Sequence, residues 1–125
     1  MDAVQQFTAQ SGIHVPETFV ISGASKRGWT TWTSAAVDSK RIIGAVPIVM
    51  DLVNLQISLN GWTFALKDFY ALNIFRSLDT NNFTRMAEII DPYNYFNRYK
   101  TIKTLQIQTT GDEFFLLDNE ICRLS

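Results

Sequence analysis

The sequence predicts an α/β fold with a parallel sheet, and three observations carry that expectation. The apolar run Phe19-Val20-Ile21-Ser22 enters a turn of small residues, Gly23-Ala24-Ser25. The residues after it, Trp29 to Val37, have helical spacing. A second apolar run, Ile42 to Met50, follows at once. Strand, helix, strand in this rhythm means a right-handed crossover between parallel neighbours. A third run, Thr104 to Thr110, ends at Gly111-Asp112 and supplies a third strand. About three parallel strands with flanking helices on both faces, and a helical insertion, are therefore expected.

Taken in order, Val4, Phe7 and Thr8 at helical spacing, stopped by Gly12, predict an amphipathic helix from about Asp2 to Gln10. Pro16 and Glu17 lead into the first strand, about Thr18 to Ser22. In the next helix Trp29, Trp32, Ala35 and Ala36 share one side, and Asp38-Ser39-Lys40 ends it. The run Ile42 to Met50 is β-branched and does not alternate, the pattern of a strand buried on both faces. Asp51 to Lys103 is too long for a simple crossover and carries helical signatures around Trp62 to Phe75 and Phe83 to Ile90. It reads as a crossover helix with an inserted helical piece, about 52–100, lying over the C-terminal edge of the sheet, where such proteins bind ligands. Its Trp62, Phe64, Phe69, Tyr70 and Phe75 are expected to pack helices rather than touch substrate. Asp91-Pro92 ends a helix, and Tyr93, Tyr95, Phe96 and Tyr99 form an aromatic patch before the third strand.

Composition narrows the function classes. In 125 residues, 46% are hydrophobic and 18% charged, enough apolar material for one core. Eleven basic and twelve acidic residues are interspersed, for a net charge of −1, so no basic stripe invites nucleic acid. The single cysteine, Cys122, excludes an internal disulfide and a cysteine-based zinc site. No cofactor or metal is expected. No apolar run approaches the ~20 residues of a membrane span, and the first residues lack the basic start and apolar centre of a secretory signal. A sheet with bare edges and an uncovered apolar face favours self-association.

Ser25 is the candidate nucleophile. A serine between a strand end and a helix N-terminus has an exposed hydroxyl and a backbone N–H, that of Lys26, beside it for a developing oxyanion. Gly23 and Ala24 let the turn close, but Arg27 takes the second position after the serine and displaces the expected glycine to Gly28. The plainer alternative is a glycine-assisted turn in which Ser25 caps the helix. A serine needs a base and an acid to orient it. Asp112, following the third strand, is the favoured acid; Asp51, at the end of the second, is the alternative acid or a helix cap, with Glu113 and Asp118 as weaker neighbours. The only histidine, His14, precedes the first strand and so falls at the wrong end of the sheet. No histidine follows Asp112, where the chain order serine, acid, histidine requires one.

Five ordered runs resemble one family. They are Gly23-Ala24-Ser25-Lys26-Arg27-Gly28-Trp29-Thr30-Thr31-Trp32, Ala35-Ala36-Val37-Asp38, Val46-Pro47-Ile48-Val49-Met50-Asp51, Ile90-Asp91-Pro92-Tyr93 and Thr110-Gly111-Asp112-Glu113-Phe114-Phe115-Leu116. Together they closely resemble the PhoPQ-activated pathogenicity-related proteins, over essentially the whole chain but only a middle-to-C-terminal portion of those larger proteins. The resemblance implies a partial α/β-hydrolase fold over 1–125, with Ser25 as nucleophile and Asp112 as acid. It implies that the histidine, the early strands and the second oxyanion donor lie outside this sequence. It also implies export to the periplasm or beyond the cell, and it leaves the substrate open; the serine chemistry itself points to an ester or amide, of a small molecule, peptide or carbohydrate. A eukaryotic branch of the family is similar to a secreted proliferation-repressing signal protein, which implies that fold and triad need not mean an enzyme.

Overall fold

The computed structural model describes residues 1–50, 76–78 and 80–112. Three strands, β1 (Phe19–Ala24), β2 (Ile42–Ile48) and β3 (Lys103–Thr104), form one parallel sheet in the order β1-β2-β3. The β1–β2 register runs from Phe19↔Ile42 to Ala24↔Ile48, with one irregularity after Phe19. The ladder of β3 reaches beyond its two regular residues. Leu105 N–H donates to the Ala45 carbonyl, Ile107 N–H to Pro47, and an isolated bridge joins Ile107 to Ile48. The predicted third strand is thus present in its pairing through Ile107 and absent in regular form beyond it.

Helix α1 (Asp2–Gln10) has the predicted bounds, and α2 (Lys26–Val37) begins three residues before its first tryptophan. Helix α3 (Asn81–Ile90) is capped by Thr80, whose hydroxyl accepts the Phe83 N–H at 3.3 Å. A 3-10 helix, Pro92–Tyr99, follows and is capped in the same way by Asp91, with Pro92 at its start where no N–H is needed. The helical signature at Trp62 to Phe75 and the residues Asp51, Glu113 and Asp118 lie outside the described residues.

The core sits on one face of the sheet. Trp32, Ala35 and Ala36 of α2 pack with Ile42, Ala45 and Met50 from β2 and its end, and with Ala87, Tyr99 and Ile102. Small residues on α2 bring the helix close to the strands, and burial of Ile42 and Met50 contributes about 1.5–3 kcal/mol each. The 3-10 helix closes the outer side of α2. Tyr99 meets Trp32 edge to face at 5.1 Å, and its buried hydroxyl donates to the Trp32 and Pro92 carbonyls. Burial pushes the Tyr99 phenol well above its ordinary range, so this donor stays protonated. Arg98 caps the far end of α2 through the Ala36 carbonyl.

The opposite face departs from expectation. Helices were expected on both faces, yet Val20 is 66% exposed, Leu105 60%, Ile43 49% and Ile107 41%. Gly44 lies among them, its missing side chain leaving room for Val20. The non-alternating sequence of β2 predicts burial on two sides, and the described residues provide cover on one.

Candidate active site

The turn after β1 is built by three local constraints. First, Gly23 lies under the start of α2: a Cβ there would stand 2.5 Å from the Arg27 carbonyl oxygen. Any other residue would push the helix off the strand. Second, Gly28 lies against the end of β2, where an added Cβ would stand 2.4 Å from Met50 Cβ. This explains the displaced glycine, because the third position after Ser25 faces the sheet whereas Arg27, the second, is exposed. Third, Ser25 N–H donates to the Ile48 carbonyl, while its own carbonyl accepts from Gly28 and Trp29 at 2.7 and 3.3 Å. The backbone of Ser25 is thereby held between strand and helix.

Held in this way, Ser25 adopts φ 51° and ψ −123°. A residue with a side chain rarely occupies that region, and the strain is of order 1–3 kcal/mol. Ser25 occupies the N-cap position of α2, but its side chain makes no capping hydrogen bond. That counts against the plainer reading, in which the hydroxyl exists to cap the helix. The hydroxyl is exposed, and the Lys26 N–H beside it begins the first turn of α2. Such N–H groups have no partner within their own helix.

The three strands end on a common rim. Ala24 pairs with Ile48, and Ile48 bridges to Ile107, so Ser25 leaves the rim directly while Asp112 follows it by five residues. Neighbouring strands are about 4.8 Å apart, so the ends of β1 and β3 are about 10 Å apart across β2. Asp112 is half-buried in the turn after β3, with the Thr109 hydroxyl 3.5 Å from one carboxylate oxygen. His14 is exposed and precedes the other end of β1, a strand of six residues or about 20 Å. It is not brought to Ser25. Among the described residues no cluster of histidine, cysteine or acidic side chains is arranged to hold a metal ion.

Two rim features have no signal in the sequence. Val49, directly after β2, has φ 44°, a left-handed conformation that is an outlier for a β-branched residue. Its N–H donates to the Ile107 carbonyl at 2.7 Å, which ties the turn to β3. Gln108, directly after Ile107, holds both atoms of its amide buried with no hydrogen-bond partner. A buried unpaired amide is costly, and on a candidate rim it is a polar group available to a ligand or water. Neither position stands out by residue type.

Comparison with known proteins gives the same direction as the motifs. The family model for PhoPQ-activated pathogenicity-related protein matches residues 1–122. Autocrine proliferation repressor protein A of Dictyostelium discoideum is 44% identical over 126 residues, covering 95% of this chain and 25% of that protein. The chain therefore spans about a quarter of the length of this curated relative. No solved structure matches. With nearly every residue inside the family match, and Ser25, Gly28 and Asp112 all within it, the chain belongs to the PhoPQ-activated pathogenicity-related protein family.

Proposed function

We propose that Ser25 is the nucleophile of a serine hydrolase acting on an ester or amide. The observation that carries this reading is the strained Ser25 backbone, φ 51° and ψ −123°, on a strand-to-helix turn with an uncapped and exposed hydroxyl. In the proposed reaction Ser25 Oγ bonds to the substrate carbonyl carbon and its proton passes to a base. The carbonyl oxygen becomes an oxyanion beside the Lys26 N–H. Collapse expels the alcohol or amine, which takes the proton, and water then releases the acid from the acyl-serine. Asp112 serves as the acid that orients the base, with Asp51 as the alternative. The base itself is a histidine supplied from beyond these 125 residues, since His14 stands at the other end of β1. The substrate is a small-molecule, peptide or carbohydrate ester, met in the periplasm or outside the cell.

The missing base sets the test. Fluorophosphonate labelling of this chain should be slow, should rise roughly tenfold with added imidazole, well short of the ~10²–10⁴ from a positioned base, and should vanish in Ser25→Ala. Peptide mapping should place the adduct on Ser25. Labelling that ignores imidazole, or that survives in Ser25→Ala, refutes the assignment.

A second reading draws on the relative named as an autocrine proliferation repressor. There the hydrolase-like fold serves as a secreted interaction surface with a silent serine. It predicts no Ser25 adduct under any of these conditions.

A further inference from the structure

Trp29 carries two N–H donors, and the two serve different segments. Its indole N–H donates to the Ile90 carbonyl at 2.8 Å, 61 positions along the chain, and its backbone N–H donates to the Ser25 carbonyl at 3.3 Å. Ile90 is the last residue of α3, where carbonyls have no partner within their own helix. Other side chains take up that helix end as well: Asn94 donates to the Ala87 carbonyl at 3.0 Å, and the Tyr95 hydroxyl to the Ile89 carbonyl at 2.7 Å. Trp29 differs from them in reaching over from α2. Trp29 and Ile90 both pack, half-buried, against the core, so further chain around these residues adds cover and leaves the link in place.

The Ser25 carbonyl and the Lys26 N–H belong to one peptide group. A trans peptide is planar, so its C=O and N–H point in opposite directions and turn together. The Gly28 and Trp29 N–H groups hold the carbonyl on the helix side, which aims the Lys26 N–H outward from the start of α2. We infer that Trp29 is the positioning residue for this oxyanion donor. The indole bond to α3 fixes the Trp29 backbone, the Trp29 backbone fixes the Ser25 carbonyl, and the shared plane fixes the aim of the Lys26 N–H. The seat of α3 thereby enters the geometry at Ser25. The catalytic consequence rests on the proposed serine chemistry; the mechanical link rests on the hydrogen bonds alone.

The test compares two variants. Trp29→Phe removes the indole N–H and keeps an aromatic ring, whereas Tyr99→Phe removes a buried hydroxyl that donates to the Trp32 and Pro92 carbonyls, away from the Ser25 turn. Amide hydrogen exchange reads the link without any chemistry at Ser25. In Trp29→Phe the N–H groups of residues 28 and 29 should exchange roughly two- to tenfold faster, the effect of one net hydrogen bond, while those of Ala35 and Ala36 in the same helix stay unchanged. Fluorophosphonate labelling at Ser25 in imidazole reads the consequence. Trp29→Phe should slow it about five- to tenfold, short of the ~10²–10³ lost with a whole oxyanion donor, and Tyr99→Phe should label at the original rate. Unchanged exchange at Gly28 in Trp29→Phe overturns the inference. So does faster exchange without slower labelling, and so does equal slowing in both variants, which marks general loosening. An unaltered chain that never labels at Ser25 refutes the serine chemistry and the catalytic role of Trp29 with it, while the exchange result still decides the link.

Discussion

At the scale of a residue, the decisive fact is that Ser25 is held in a conformation its side chain disfavours. Since the hydroxyl makes no capping bond, removing it should cost little, whereas removing the Cβ should release strain. Ser25→Ala should therefore leave stability within about 0.5 kcal/mol of the original. Ser25→Gly should raise it by about 1 kcal/mol, the released strain less the added freedom of the unfolded chain. Urea unfolding monitored by tryptophan fluorescence measures both; a Ser25→Gly chain less stable than Ser25→Ala would contradict the strain argument. The residue type and its neighbours made this position legible: small residues before it, a strand leading in and a helix leading out. The role of Gly28 was not legible, because its reason is contact with Met50, twenty-two positions away in the chain. Val49 and Gln108 gave no signal for a related reason. Backbone strain and an unpaired amide belong to tertiary placement, and neither residue type announces them.

At the scale of the element, one arginine joins three segments. Arg41, just before β2, donates to Asp38 at the end of α2 and to Asp2 and Gln5 of α1, and its carbonyl receives the first hydrogen bond of β1. Hydrogen bonds from Arg41 hold the Asp38 and Asp2 carboxyls below their usual range. The stability these two carboxylates confer is therefore present above their unfolded pKa and lost as pH falls through the lower folded values. As pH falls below ~4 the native chain should lose stability steadily, and Arg41→Gln should flatten that part of the profile while leaving the slope near neutrality unchanged. Chemical denaturation at a series of pH values would show it; an unchanged acid slope in Arg41→Gln would refute the link. Hydrophobic spacing found α1 at its observed bounds and α3 within two residues of its start. It missed the first turn of α2, Lys26-Arg27-Gly28, because that turn is polar and glycine-bearing and only its contacts with β1 and β2 make it helical. It overextended β3, where pairing continues to Ile107 through backbone bonds and the residues beyond turn away.

At the scale of the molecule, the apolar sequence of the strands outruns the cover they receive. β2 reads as buried on both sides, and that reading holds only for the face under α2. Val20, Ile43, Leu105 and Ile107 are left as exposed apolar side chains. The native chain should thus bind a hydrophobic dye such as anilinonaphthalene sulfonate at neutral pH, without unfolding. Leu105→Thr with Ile107→Thr should remove most of that fluorescence at little cost in stability, because both side chains are exposed. Undiminished dye binding in the double variant would mean the signal comes from elsewhere.

The two left-handed residues, Ser25 and Val49, stand on neighbouring strand ends of this same rim. Directed evolution rewarded only for survival on heating would find glycine at these two codons among its easiest gains. On the proposed function, glycine at position 25 would remove the nucleophile outright, and glycine at position 49 would loosen the strand end beside it. A thermally hardened descendant obtained that way would be a sturdier scaffold with its working edge blunted, so selection for robustness has to be coupled from the outset to a readout at position 25.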